Sequence, residues 1–179
     1  MNDYSLLSAS NFAERYLDVN DTLHILDVGS YDINGTLKEV FSSSNWKYIG
    51  MDIEDGPNVD VVYNNKGIFP FDDNSFDVVV SSSTFEHDTK FWITFSQMVR
   101  TTKNGGLIFI DTPSSGPIHK FPLDCWRFYP DAYKALSDWV SEAELIEQYI
   151  DEMHNYKFEP NLFRSNIGIF KVNKITKKE

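Results

Sequence analysis

Apolar, β-branched runs alternate along the chain with stretches of helical periodicity, and this alternation limits the possible folds more than any other feature. Leu23–Val28, Trp46–Met51, a shorter run around Val59–Tyr63, Phe76–Val80 and Leu107–Asp111 have the length and residue types of buried strands. Residues 5–18 place Leu6, Ala9, Ala13, Tyr16 and Leu17 at helical spacing. Thr36–Phe41 can start a short helix with Asn34 as its cap. Asp88–Thr102 carries Phe91, Trp92, Phe95, Met98 and Val99 on one stripe, and Asn104-Gly105-Gly106 reads as its stop. A helix over 131–140, strands over 143–150 and 166–172 and a charged, frayed tail from Lys174 complete the pattern. Such alternation predicts an α/β fold, a doubly wound and mostly parallel sheet with an antiparallel C-terminal strand. Between the second and third strands, Gly56-Pro57-Asn58-Val59 leaves no room for a helix, so the helical layer is reduced on one face.

In such sheets ligands bind beyond the carboxyl ends of the strands, where the strand order switches direction. Gly29 ends the first strand and lets the backbone turn close to a ligand, although a plain strand-to-helix turn uses glycine equally well. The dinucleotide spacing G-x-G-x-x-G fails, because Tyr31 and Asn34 stand where glycines are needed. Asp52 ends the second strand. A carboxylate there can accept both hydroxyls of a ribose; the alternative is a solvated loop acid beside Glu54 and Asp55. After the fourth strand come Ser81-Ser82-Ser83-Thr84-Phe85-Glu86-His87. The adjacent Glu86-His87 lacks the spacing of a metal-ligand set, so no metal is expected, and His87 is expected to cap or pack on the following helix.

Charge narrows the partners. Twenty-seven acidic residues against sixteen basic give a net charge of −11, which argues against a sequence-independent grip on nucleic acid. Cys125 is the single cysteine and has no partner for an intramolecular disulfide. The start lacks the pattern of a secretory signal, and no apolar run approaches the ~20 residues of a membrane helix. No nucleic-acid or membrane partner and a cytoplasmic location are expected; the oligomeric state is left open.

Three stretches then carry a resemblance: LDVGS at 26–30, GMDIE at 50–54, and FPFDDNSFDVVVSSSTFEH at 69–87, followed by KNGGLIFIDTPS at 103–114. In order and spacing, over roughly residues 20–115, the chain resembles class I S-adenosylmethionine-dependent methyltransferases, most closely the small branch labelled methyltransferase type 11. The resemblance implies a Rossmann-like fold, S-adenosylmethionine as cofactor and S-adenosylhomocysteine as product. It sets Asp27 and Gly29 at the acidic and first glycine positions of the opening motif, with Ser30 and Tyr31 against the methionine part. Asp52 falls at the ribose acid, Ile53 against adenine, and Asn64 and Asn65 near the adenine amino group. Ser81 and Ser82 lie beneath the sulfonium. The family's G-x-G-x-G is broken, with Tyr31 and Ile33 replacing the later glycines and Gly35 arriving afterwards. A single methyltransferase-like domain over 1–179 is expected, with an N-terminal helix over 5–18, a cofactor-binding core over about 20–115, an acceptor-side segment over 113–130 and C-terminal strands over 143–173.

Residues 113–130 hold four of the seven prolines in a long stretch without regular pattern. Within HKFPLDCWRFYPDA, 119–132, His119 is a candidate base and Arg127 a candidate clamp for a carboxylate or phosphate. Equally, the segment can be a lid whose rings fill the core while Asp124 pairs with Arg127. The reaction expected is methyl transfer to an oxygen or nitrogen of a small-molecule or glycan-like acceptor. The alternatives are a non-catalytic nucleoside- or S-adenosylmethionine-binding module or partner subunit and, more distantly, a nicotinamide dehydrogenase.

Overall fold

The computed structural model describes residues 3–63, 67–150 and 162–174. Chain order runs α1 (Asp3–Tyr16), β1 (Leu23–Val28), β2 (Trp46–Asp52), β3 (Val61–Val62), β4 (Phe76–Ser82), α2 (Phe91–Thr101), β5 (Thr102–Ser115), α3 (Asp131–Trp139), β6 (Ala143–Ile150) and β7 (Arg164–Val172). The strands form one seven-stranded sheet in the order β3-β2-β1-β4-β5-β7-β6. β1 to β5 pair in parallel, and β7 lies antiparallel to both β5 and β6. The expected sheet is therefore present, with β7 as the strand that runs against the rest.

Strand periodicity divides the core between two faces. Leu26, Val79, Ile108 and Ile110 face α2 and α3, meeting Phe95, Met98, Val99, Tyr133 and Leu136. Their neighbours Ile25, Val78, Val80 and Phe109 face the other way, against Ala9, Phe12 and Ala13 of α1 and against Leu37 and Phe41. One helix and a short turn cover that second face, which is the thin layer the sequence predicts. Among the described residues no helix is long and apolar enough to cross a membrane.

Several boundaries differ from expectation. The helix expected over 36–41 is a single 3-10 turn, Leu37–Glu39, capped by the Thr36 hydroxyl accepting from Lys38 N–H rather than by Asn34. β3 is only two residues long. Asn104-Gly105-Gly106 does not end α2: the helix stops at Thr101, where the Thr101 and Thr102 hydroxyls donate to the carbonyls of Gln97 and Met98. The glycines instead sit within β5, where pairing with β4 jumps from Phe76–Thr102 to Val78–Leu107 and Gly105 takes a φ of 81°.

β1 has β2 on one side and β4 on the other, so successive connections leave β1 and β4 in opposite directions. The carboxyl ends of these two strands form the switch point, and there the molecule opens.

Candidate functional site

A cavity of about 610 Å³ lies beyond the carboxyl ends of β1, β2 and β4, and the segment after β5 closes its far side. Gly29 ends β1 with a φ of 84°, a region that favours glycine, and a Cβ there would stand 2.0 Å from Thr84 Oγ1. This close approach brings the β1 turn against the β4 turn and opens the space above both. Thr84, which sequence reasoning did not single out, fixes the geometry by bonding the carbonyls of Val28 and Ser82.

At the β2 side, the Asp52 carboxylate accepts from Tyr31 N–H (3.0 Å), Ile53 N–H (2.6 Å) and Glu54 N–H (3.3 Å). It is thus oriented by the backbone, and it lines the cavity with Ile53, Met51, Tyr31 and Gly29. Tyr31 packs its ring over Gly56, where a Cβ would meet it at 2.1 Å. Asp27 is buried behind the turn and accepts from the Tyr48 hydroxyl; burial pushes it up to about 7. Asn58 donates to Tyr48, Thr36 and the Ser30 carbonyl, which ties the turn to β2.

Asp27, Ser30, Tyr31, Gly35 and Ser82 meet around a smaller cavity of about 80 Å³, also lined by Gly29. The chain reaches this arrangement without the missing glycines: Asp32 accepts from Gly35 N–H, and Asp32 N–H bonds the Pro57 carbonyl. Ser81 is not brought to either cavity, since its buried hydroxyl donates to the Val28 carbonyl. Asn64 and Asn65 lie outside the described residues.

The far end of the larger cavity is made by Glu86, His87, His119, Phe121 and Phe163. Glu86 is 1% exposed, its Oε2 has no hydrogen-bond partner, and burial pushes its carboxyl up to about 8. His87 Nε2 and His119 Nε2 stand 3.6 and 3.9 Å from Glu86 Oε1. His87 does not cap α2; its Nδ1 meets the Leu123 carbonyl at 2.5 Å and its ring meets His119 edge-on. Burial holds His119 below the usual imidazole range, while nearby Asp124 opposes that shift.

Arg127 does not line the cavity. Its guanidinium forks onto Asp124 at 2.5 and 2.8 Å and donates to the carbonyls of Pro117 and Trp126. That pairing holds the Asp124 carboxyl well below its usual range, and Asp124 in turn accepts from His119 N–H. Arg127 therefore braces the segment that presents His119, and no free fork remains for a substrate anion. The structure takes the lid arrangement for Arg127 and the cavity-lining one for His119. Phe163, the remaining wall, carries no sequence signal because it comes from distant chain just before β7.

Residues 26–110 match a family model described as a methyltransferase domain. A chain of the complex between the Haloferax volcanii Trm112 methyltransferase activator and a methyltransferase superposes with a TM-score of 0.64 at 15% identity, covering 98% of this chain and 97% of its own. The Burkholderia thailandensis 1,6-didemethyltoxoflavin-N1-methyltransferase, with 1,6-didemethyltoxoflavin and S-adenosylhomocysteine bound, gives 0.70 at 11% identity over 97% and 80%. The [4+2]-cyclase SpnF gives 0.70 at 13% over 94% and 82%. At these identities the likeness is one of fold. A comparison with curated proteins finds no match.

Proposed function

We propose methyl transfer to an oxygen or nitrogen of a small-molecule or glycan-like acceptor, a reading supported by the match of residues 26–110 to a methyltransferase-domain model and by the class I methyltransferase fold. The cofactor is S-adenosylmethionine. The observation that carries the reading is one continuous cavity running from Asp52, past the bare backbone of Gly29, to His119.

Asp52 binds the ribose in this reading. A carboxylate has about four acceptor directions, and the three backbone N–H groups orient it while leaving room on Oδ2 for a hydroxyl. Ile53 lies against the adenine, and the small cavity around Ser30, Tyr31 and Gly35 takes the methionine end. The methyl group then points past Thr84 toward the end formed by Glu86 and His119. Because the sulfonium already activates the methyl, the protein's task is alignment: the acceptor atom must sit about 3–3.5 Å from the methyl carbon, in line with the breaking bond. An acceptor hydroxyl must also lose its proton, and His119 stands at that end to take it; burial holds its imidazole below the usual range, which favours the proton-accepting form.

The test is calorimetry with S-adenosylhomocysteine followed by transfer of labelled methyl from S-adenosylmethionine to a panel of hydroxylated and amino acceptors. Binding together with transfer to any acceptor supports the reading. Tight binding without transfer to any acceptor favours the non-catalytic module.

A further inference from the structure

We propose that Glu86, His87 and His119 form a binding site for one divalent first-row transition cation, at the acceptor end of the cavity. The ligand atoms these residues offer all lie within 4.8 Å of one another. Glu86 Oε1 stands 3.6 Å from His87 Nε2 and 3.9 Å from His119 Nε2. A cation bound at about 2.0–2.2 Å from nitrogen and oxygen ligands places them roughly 3–3.5 Å apart in tetrahedral or octahedral geometry. The two glutamate pairs need to close by less than about 1 Å and the widest pair of the cluster, at most 4.8 Å, by up to about 1.5 Å, movements within the reach of side-chain rotation.

The surroundings are those of a ligand set. A metal-bound imidazole usually has its second nitrogen held by a carbonyl or carboxylate, which fixes ring orientation and aims the first nitrogen inward. His87 has this arrangement, with Nδ1 on the Leu123 carbonyl at 2.5 Å; His119 Nδ1 makes no hydrogen bond and only lies near Asp124 Oδ2, at 3.4 Å. Both Nε2 atoms are left for Glu86. An independent observation is the carboxyl itself, 1% exposed with Oε2 lacking any hydrogen-bond partner. A buried carboxylate oxygen without a partner is costly, and a cation held by both oxygens of Glu86 removes that cost. Backbone bonds hold the three residues together across the fold: Cys125 N–H and Trp126 N–H both donate to the Glu86 carbonyl, and His119 N–H donates to Asp124. Two imidazoles and one carboxylate favour zinc, cobalt, iron or manganese over magnesium and calcium, which prefer all-oxygen sites. Three protein ligands leave positions open toward the cavity.

What the cation does for the acceptor rests on the methyl-transfer reading; its binding does not. An acceptor hydroxyl on the cation loses its proton to solvent more readily. Its oxygen then bonds the methyl carbon, the carbon–sulfur bond breaks, and the electron pair stays on sulfur. His119 then serves the acceptor as a ligand, in place of taking the proton itself.

The test uses untagged protein stripped with chelator and titrated with Co²⁺, read by its visible d–d absorption. One equivalent should bind and be displaced by Zn²⁺, while Mg²⁺ at the same concentration displaces nothing. His119→Ala, at a side chain 39% exposed, and His87→Ala should each weaken Co²⁺ binding by at least about tenfold, with folding of each variant checked by its urea midpoint. S-adenosylhomocysteine affinity, measured on the same samples, should stay within about twofold because no ligand residue contacts Asp52. No Co²⁺ binding, or binding undiminished in both variants, overturns the site: Glu86 is then a protonated carboxyl sharing its hydrogen with a histidine. Co²⁺ binding without S-adenosylhomocysteine binding leaves the site standing and removes the methyl-transfer reading.

Discussion

Asp52→Ala separates the two jobs that the structure gives this carboxylate. The first is internal: its oxygens accept from the N–H groups of Tyr31, Ile53 and Glu54, and so hold the β1 turn to the end of β2. The bonds lie near the surface, where water can replace the acceptor, so losing them costs about 1–3 kcal/mol of stability in total. The second job is the ribose. One charge-assisted hydrogen bond is worth about 1.5–3 kcal/mol, which is between about tenfold and 150-fold in affinity. Asp52→Asn keeps one carbonyl oxygen for the turn and loses the charge, so it should recover much of the stability while binding stays weak. Urea unfolding gives the first number and calorimetry with S-adenosylhomocysteine the second. If a folded Asp52→Ala protein binds S-adenosylhomocysteine as tightly as the unaltered chain, the cofactor does not lie where we place it.

Gly29→Ala should lower stability by about 2–3 kcal/mol, from the positive φ and the displaced Thr84 hydroxyl, and weaken S-adenosylhomocysteine more than tenfold; an unchanged urea midpoint would contradict the close approach. Asp27 has a folded pKa near 7, above its unfolded value of about 3.9, so the folded state holds its proton over that interval and stability falls as pH rises from about 4 to 7. Asp27→Asn should flatten the fall, and an identical pH profile in the variant refutes the burial argument. Arg127→Ala leaves Asp124 without its fork and should cost about 2 kcal/mol, reduced from the fully buried case because the guanidinium is partly exposed. It should leave S-adenosylhomocysteine affinity unchanged, and a large loss of that affinity would show that Arg127 touches the cofactor.

The sheet was legible because its signal is local. Ile25 and Leu26, or Val78, Val79 and Val80, declare buried strands by residue type, and their opposite faces follow from a period of two. Gly29 and Asp52 were legible for a related reason, since strand ends at a switch point are where such folds bind ligands. The boundaries that moved were decided by side chains. Thr101 and Thr102 stop α2 with their hydroxyls, so the glycines after them, natural helix stops, were free to form an irregular stretch of β5. The acceptor end was harder. Glu86-His87 looks bare along the chain because its third member arrives 32 residues later, through a segment with no periodicity. Arg127 and Asp124, three residues apart, were compatible with either a clamp or a brace, and only the fork geometry separates these.

Calorimetry on the full chain with S-adenosylhomocysteine, S-adenosylmethionine and NAD asks whether the cavity above Gly29 and Asp52 binds S-adenosylmethionine. Both sulfur ligands should bind saturably and one-to-one, at least about tenfold more weakly in Asp52→Ala, with no heat from NAD at the same concentrations. Tight NAD binding with no response to either sulfur ligand would contradict that assignment.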